Sequence, residues 1–116
     1  MSGGESSQQW VFGLCAQWCG VCRDWRTTFD AAAARHPQHR FIWIDVEDQS
    51  DLVGDLDIET FPTLLVGTAG QVNFFGTIEP TPVVIDRLLA ATAGSASVTT
   101  EPETLDLLQR LVSAQM

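Results

Sequence analysis

The stretch Trp10-Val11-Phe12-Gly13-Leu14-Cys15-Ala16-Gln17-Trp18-Cys19-Gly20-Val21-Cys22-Arg23-Asp24-Trp25 changes its hydrophobic period halfway along. Up to Cys15 the run is continuously apolar, bounded by Ser6-Ser7-Gln8-Gln9 and by Ala16-Gln17, which predicts a buried strand slightly weakened by Gly13. From Gly20 onward Cys22, Trp25, Phe29, Ala32 and Ala33 fall on one stripe of an amphipathic helix, which ends near Arg35 ahead of Pro37. Residues 41–46, Phe-Ile-Trp-Ile-Asp-Val, are β-branched and aromatic and too few for a helix, so they predict a second buried strand. Strand, helix and strand in that order make a βαβ unit, whose right-handed crossover sets its two strands parallel.

Further along, Ser50 can cap a short helix through Leu56, and Thr60-Phe61-Pro62-Thr63 leads into the apolar run 64–66. Residues 67–70, Gly-Thr-Ala-Gly, predict a turn, and residues 72–75 a fourth strand that closes an antiparallel hairpin. Thr81 before Pro82 suits the start of a helix with Val84, Ile85, Leu88, Leu89 and Thr92 on its inner face. The expected order is β-α-β-α-β-β-α. Residues 94–99 then read as a linker, and Thr100 and Glu103 have capping-box spacing ahead of a helix striped by Leu105, Leu108, Leu111 and Val112. The domain plan is a flexible N-terminus over 1–9, one domain over 10–93, the linker 94–99, and a C-terminal amphipathic helix over 100–116. That helix can dock on its own domain, which is the simplest reading, or form a dimer or partner contact.

Composition narrows the function. A chain of 116 residues with 45% hydrophobic and 18% charged residues, four Trp and six Phe is one small globular domain, with no room for a second. Six scattered Arg, no Lys and a formal charge of −9 do not make the cationic face that nucleic acid requires. No stretch approaches the ~20 apolar residues that cross a bilayer, and residues 1–9 carry no signal pattern, so the expectation is a soluble cytoplasmic protein. The acidic run from Asp45 to Glu59 lacks EF-hand spacing and reads as solvated surface, and His36 and His39 read as surface residues beside a helix C-terminus.

Three crowded cysteines, Cys15, Cys19 and Cys22, are too few for the disulfide framework of a secreted scaffold and call for a chemical explanation. Cys19 falls at a predicted helix N-terminus, where converging backbone N–H groups and the helix dipole favour an anion, which suits a nucleophilic thiolate. Cys22 lies one turn on, where i and i+3 side chains are neighbours about 5–6 Å apart, and can resolve a mixed disulfide. Three other readings compete. Half a zinc knuckle has no matching second half, because His36 and His39 lie at the far end of the helix. The C-x3-C-x2-C spacing of a radical iron–sulfur motif lacks the barrel such enzymes need. Two inert buried thiols would require Gly20-Val21 to cover Cys19, which so small an insert does poorly. Cys15 itself reads either as a small buried hydrophobe or as a third redox-active thiol.

With Trp18 directly before Cys19-Gly20-Val21-Cys22, and Phe61-Pro62-Thr63 about forty residues later before an apolar strand, residues 10–93 resemble the thioredoxin family. The resemblance implies a thioredoxin-like α/β fold, with a mixed sheet of about four strands flanked by helices and extended here by a C-terminal helix. It is a match to the minimal core, since the fuller family pattern adds an N-terminal strand and helix that residues 1–9 cannot supply. It implies a cis bond before Pro62, a sharp turn holding the Phe61 backbone beside the cysteines, where a substrate peptide can add as a short strand. It also implies that Trp18, Gly20, Val21, Phe61, Pro62, Phe75, Gly76 and Thr77 contact the substrate. The activity implied is thiol–disulfide exchange between the Cys19/Cys22 dithiol and protein disulfides, with no cofactor or metal and with an external electron donor. A binding or assembly module with idle cysteines, and a disulfide oxidase or isomerase, are the alternatives.

Four positions depart from the family pattern. Its buried acid in the first strand falls on Gly13, and the lysine opposite falls on Trp43, so Cys22 lacks its usual proton acceptor unless water or another carboxylate serves it. Val21 stands where proline is usual, and Thr27 where many members have a kinking proline. These changes leave the redox potential and the direction of electron flow open.

Overall fold

The apolar run at the head of the chain forms β1 (Trp10–Cys15), all six residues of which are buried. In this computed structural model, residues 9–16, 19–53, 61–68, 71–92 and 102–115 are described. Beside β1 lies β2 (Arg40–Asp45), parallel to it, with Trp10 opposite Arg40 and Cys15 opposite Asp45. On its other side β3 (Thr63–Thr68) runs antiparallel and forms a hairpin with β4 (Gln71–Thr77). The strand order is therefore β2-β1-β3-β4. A strand with neighbours on both sides and a packed layer on both faces can be apolar throughout, which is why the signal at residues 10–15 is continuous rather than alternating.

Among the described residues four helices cover the sheet: α1 (Gly20–Arg35), α2 (Ser50–Val53), α3 (Pro82–Thr92) and α4 (Pro102–Ala114). Strand alternation divides the core into two layers. Trp10, Phe12 and Leu14 join Ile44, Leu65 and Val72 on one face, against Leu107, Leu108, Leu111 and Val112 of α4 and Val53 of α2. Val11, Cys15, Leu64 and Val66 join Cys22, Trp25, Phe29 and Ala32 of α1 and Ile85 and Leu89 of α3 on the other. The mixed α/β sheet is thus the middle layer of three, as the resemblance implies. The apolar stripe of α4 is occupied by the chain's own sheet, the simplest of the uses open to it from sequence. The buried set on α4, Thr104, Leu107, Leu108, Leu111 and Val112, is a full-width stripe. The stripe expected from sequence lacks Leu107 and has instead Leu105, which packs at the margin of this core. Each fully buried Leu contributes about 1.5–3 kcal/mol of transfer free energy.

Two features fix how closely α4 approaches. A Cβ built on Gly67 would strike the Gln71 backbone oxygen of β4 and come within 2.9 Å of Leu108 Cδ2, so glycine at this position leaves room for both the neighbouring strand and α4. Arg110 donates from Nε to the Leu52 carbonyl at 2.8 Å and from Nη2 to the Val53 carbonyl at 3.0 Å, satisfying two carbonyls at the end of α2. On the opposite face Asp86 of α3 accepts from Arg35 Nη2 at 3.1 Å and lies 2.7 Å from His36 Nε2, tying α3 to the end of α1. The His36 hydrogen bond, and then Arg35, hold the Asp86 carboxyl below its ordinary range. Burial, and then His36, push the His39 imidazole below its ordinary value.

Several boundaries differ from the sequence reading. The second strand starts and stops one residue earlier, because Asp45 Oδ1 accepts from the backbone N–H of Glu47 at 2.9 Å and of Asp48 at 3.0 Å and turns the chain. Gly67 and Thr68 are strand rather than turn, with a register shift between Val66 and Gly67. The rest of that turn, Leu56 with the end of the second helix, the linker and the Thr100 cap lie outside the described residues. Among the described residues no helix is long and apolar enough to cross a membrane.

Candidate active site

The register brings the sequence-predicted residues to one end of the sheet. Leu14 pairs with Thr63, and Thr63 with Thr77, so the end of β1, the chain just before β3 and the end of β4 lie side by side. There the chain leaves β1 at Cys15 and enters α1 at Gly20, with Cys19 as the helix N-cap in extended conformation. The turn is closed by the Cys19 N–H donating to the Ala16 carbonyl at 3.1 Å, and the Cys19 carbonyl accepts from Arg23 N–H at 3.2 Å. No side chain caps this helix, and no acidic residue lies in its first turn. Its leading N–H groups therefore face the Cys19 position with no acidic side chain from their own turn.

The cysteines themselves pair differently from the expectation of a Cys19–Cys22 dithiol. Cys15 and Cys22 are joined by a disulfide, with Cα atoms 5.8 Å apart, and Cys19 is a half-buried free thiol. The reason lies in which way each residue faces. Cys15 follows Val11 and Gly13 on the face that α1 covers, and Cys22 heads the buried stripe of α1, so both side chains enter one core layer and each is only 1% exposed. Cys19, at the cap, packs on the margin of that layer. Of the two readings of Cys15 from sequence, its burial accords with the small hydrophobe, but its sulfur is bonded to Cys22 and is not a free thiol. The missed signal was parity: Cys15 shares its strand face with Val11, below the helix that Cys22 begins.

The charged pair missing at Gly13 and Trp43 is replaced by packed rings. Gly13 is opposite Trp43 across the β1–β2 ladder. A Cβ on Gly13 would lie 2.8 Å from Phe29 Cε1 and 3.1 Å from Trp25 Cζ3, so the rings occupy the space where a side chain would project. Ring centroids are 5.2 Å apart for Trp25 and Phe29, 5.6 Å for Trp25 and Trp43, and 5.5 Å for Phe29 and Trp43. Those separations suit tilted and edge-on aromatic packing. Arg26 lies over the outer Trp43 ring at 4.7 Å.

An acidic residue nevertheless lines the cavity beside Cys22. Cys22, Ala16, Arg23, Arg26, Trp43 and Asp45 line a cavity of about 220 Å³. From sequence Asp45 reads only as part of a solvated acidic face. Parallel pairing with β1 sets it opposite Cys15, a placement legible from sequence only once the register is known.

The predicted contact residues divide. Gly20 and Val21 are exposed, Val21 by 46%, beside Cys19. Phe61 is half-buried against the cysteine-side core, and the peptide bond from it to buried Pro62 is cis. The Pro62 carbonyl accepts from Ile78 N–H at 3.1 Å. Gly76 and Thr77 sit beside this turn by register, Gly76 half-buried and Thr77 exposed. Phe75 does not join them: alternation turns it to the opposite core with α4, and it is Phe74 that packs on the cysteine side. Trp18 lies outside the described residues.

Among known proteins, residues 4–83 match the family model described as thioredoxin. The chain is 25% identical over 68 residues to mitochondrial thioredoxin-3 of Saccharomyces cerevisiae, covering 59% of this chain and 54% of that protein. It is 34% identical over 53 residues to a thioredoxin of Ophiophagus hannah, covering 46% and 50% respectively. The chain thus spans about half the length of these curated relatives. The solved thioredoxin of Fasciola hepatica superposes with a TM-score of 0.67 at 19% identity, covering 78% of this chain and 86% of that one. A family match over more than half the chain accords with the β2-β1-β3-β4 sheet, with cysteines where β1 gives way to α1 and with a cis-proline turn beside them; the chain belongs to the thioredoxin family.

Proposed function

We propose that this chain is a thiol–disulfide oxidoreductase acting on protein disulfides, with Cys19 as the attacking sulfur and Cys22 as the resolving one. The observation that carries the reading is the contrast among the three cysteines. Cys15 and Cys22 are sealed in the core, while Cys19 stands at the margin, at a helix N-terminus and beside exposed Gly20 and Val21. With Cys22 reduced, the Cys19 thiolate attacks one sulfur of a substrate disulfide, forming a mixed disulfide and expelling a substrate thiolate. Cys22, losing its proton, then attacks Cys19 Sγ and expels the second substrate thiolate, so the protein carries away both oxidising equivalents. An external reductant restores the dithiol. Val21, Phe61, Gly76 and Thr77 offer the rim on which a substrate segment rests.

Reduction of insulin by dithiothreitol tests the proposal. Wild-type protein accelerates precipitation of the insulin B chain, and Cys19→Ser abolishes the acceleration. An inert wild type overturns the assignment and leaves a binding module on the same fold, and a Cys19→Ser variant as active as wild type overturns the assignment of the attack to Cys19.

A further inference from the structure

Resting on that reading, we propose that Cys15 is a third catalytic cysteine, and that the Cys15–Cys22 disulfide converts the protein from a disulfide reductase to a disulfide isomerase. In the structure the resolving cysteine is bonded to Cys15 while Cys19 remains a thiol. That form carries the oxidising equivalents in a bond that is out of reach of bulky substrates, since both its residues are 1% exposed. Its nucleophile is at the same time available, whereas a Cys19–Cys22 disulfide would leave no nucleophile at the surface.

The route to this form needs no oxidant beyond the substrate. A protein disulfide is reduced by the Cys19/Cys22 dithiol, which becomes a Cys19–Cys22 disulfide. Cys15 then gives up its proton, which ends on the second substrate thiolate released in the reduction, and attacks Cys22 Sγ, forming the Cys15–Cys22 bond and expelling Cys19 as a thiolate, so one disulfide replaces another with no change in electron count. All three residues belong to one packed cluster, Cys15 and Cys22 in its interior and Cys19 on its margin, and the Cα atoms of Cys15 and Cys22 are 5.8 Å apart, within bridging range.

The released Cys19 can attack a second, misbonded substrate. Because Cys22 is engaged, it does not resolve this mixed disulfide. The adduct ends only when a thiolate of the substrate itself, freed by the first attack, returns on Cys19 after the substrate bonds have exchanged. Electrons and atoms balance within the substrate, whose disulfides are rearranged and not reduced. The chemistry of the substrate is then a protein with several non-native disulfides.

Two measurements on the full chain test this. The protein is first oxidised by excess protein disulfide and trapped by alkylation, and its disulfide is mapped by peptide mass. The expected product is a Cys15–Cys22 bond with alkylated Cys19; a predominant Cys19–Cys22 bond overturns the inference without recourse to any variant. The oxidised protein is then mixed with scrambled, fully oxidised ribonuclease in the absence of added thiol, and the return of ribonuclease activity is followed. Wild type restores activity, and in Cys15→Ala the ratio of this reactivation to insulin reduction falls by roughly tenfold or more, because its oxidised form has no thiolate to begin exchange. An unchanged ratio overturns the inference. A wild type that reduces insulin but does not reactivate ribonuclease defeats this inference alone, whereas one inert toward insulin defeats the reading beneath it.

Discussion

Replacing Gly13 by Ala adds a single methyl group at the place where the ring cluster meets the sheet. Its carbon would sit 2.8 Å from Phe29 Cε1 and 3.1 Å from both Phe29 Cδ1 and Trp25 Cζ3, against the ~3.5–4.0 Å at which carbons pack best. The Phe29 ring cannot swing aside, for Trp25, Phe41 and Trp43 surround it with centroids 5.2, 5.4 and 5.5 Å away. Overpacking of this kind costs about 1–3 kcal/mol, while removing the freedom of glycine from the unfolded chain returns about 0.4–1 kcal/mol. The net expectation is a destabilisation of about 1.5 kcal/mol. At an unfolding entropy of roughly 2.1 cal/mol/K per residue this lowers Tm by about 6 °C. Urea denaturation followed by tryptophan fluorescence measures the free energy. In a Phe29→Leu background the penalty shrinks, because two of the three ring atoms the methyl strikes are gone and only Trp25 Cζ3 remains. A Gly13→Ala protein as stable as wild type, or penalties that add to within ~0.5 kcal/mol in the double variant, refutes the argument that rings have displaced the side chain at this position. Gly13→Asp, which restores the family acid, costs more still, because a larger and charged side chain would be forced among the same rings.

Three further outcomes follow from the same geometry. Under native, non-reducing conditions iodoacetamide labels Cys19 alone, and reduction with denaturation exposes Cys15 and Cys22 as well; labelling of either without denaturation or reduction contradicts the buried bond. Arg110→Ala removes two hydrogen bonds to the end of α2 and lowers stability by roughly 1 kcal/mol, whereas Arg110→Lys recovers only part because ammonium cannot serve both carbonyls in the guanidinium geometry; chemical denaturation of the two variants decides. Stability also falls as pH drops through histidine titration. The His39 pKa is held below its ordinary value, so the unfolded chain binds the proton first; this contribution is complete above pH ~6.5 and is lost on acidification. His39→Gln flattens that segment of the plot of Tm against pH, and an unaltered slope assigns the acid sensitivity elsewhere.

Much of the site was legible because its markers are local. Trp18 before Cys19-Gly20-Val21-Cys22 and Phe61-Pro62-Thr63 ahead of a strand identified the family, and the cis bond at Pro62 agrees with that resemblance. What escaped was governed by partners distant in sequence. Phe75 lies within a stretch the family uses for contact, yet strand parity turns it toward α4. Asp45 reaches the cavity beside Cys22 only through its register with β1.

By itself the sequence determined which segments are strands and which are helices, since alternation and the 3.6-residue stripe are properties of neighbouring residues. It determined too that the cysteines gather where the first strand hands over to the first helix. Tertiary structure alone decided which cysteine meets which, what fills the space above Gly13, and that α4 covers the Trp10–Phe12–Leu14 face. Those outcomes depend on how layers far apart in the chain are set against one another, and the side that a side chain faces has no chemical meaning until the opposing layer is in place.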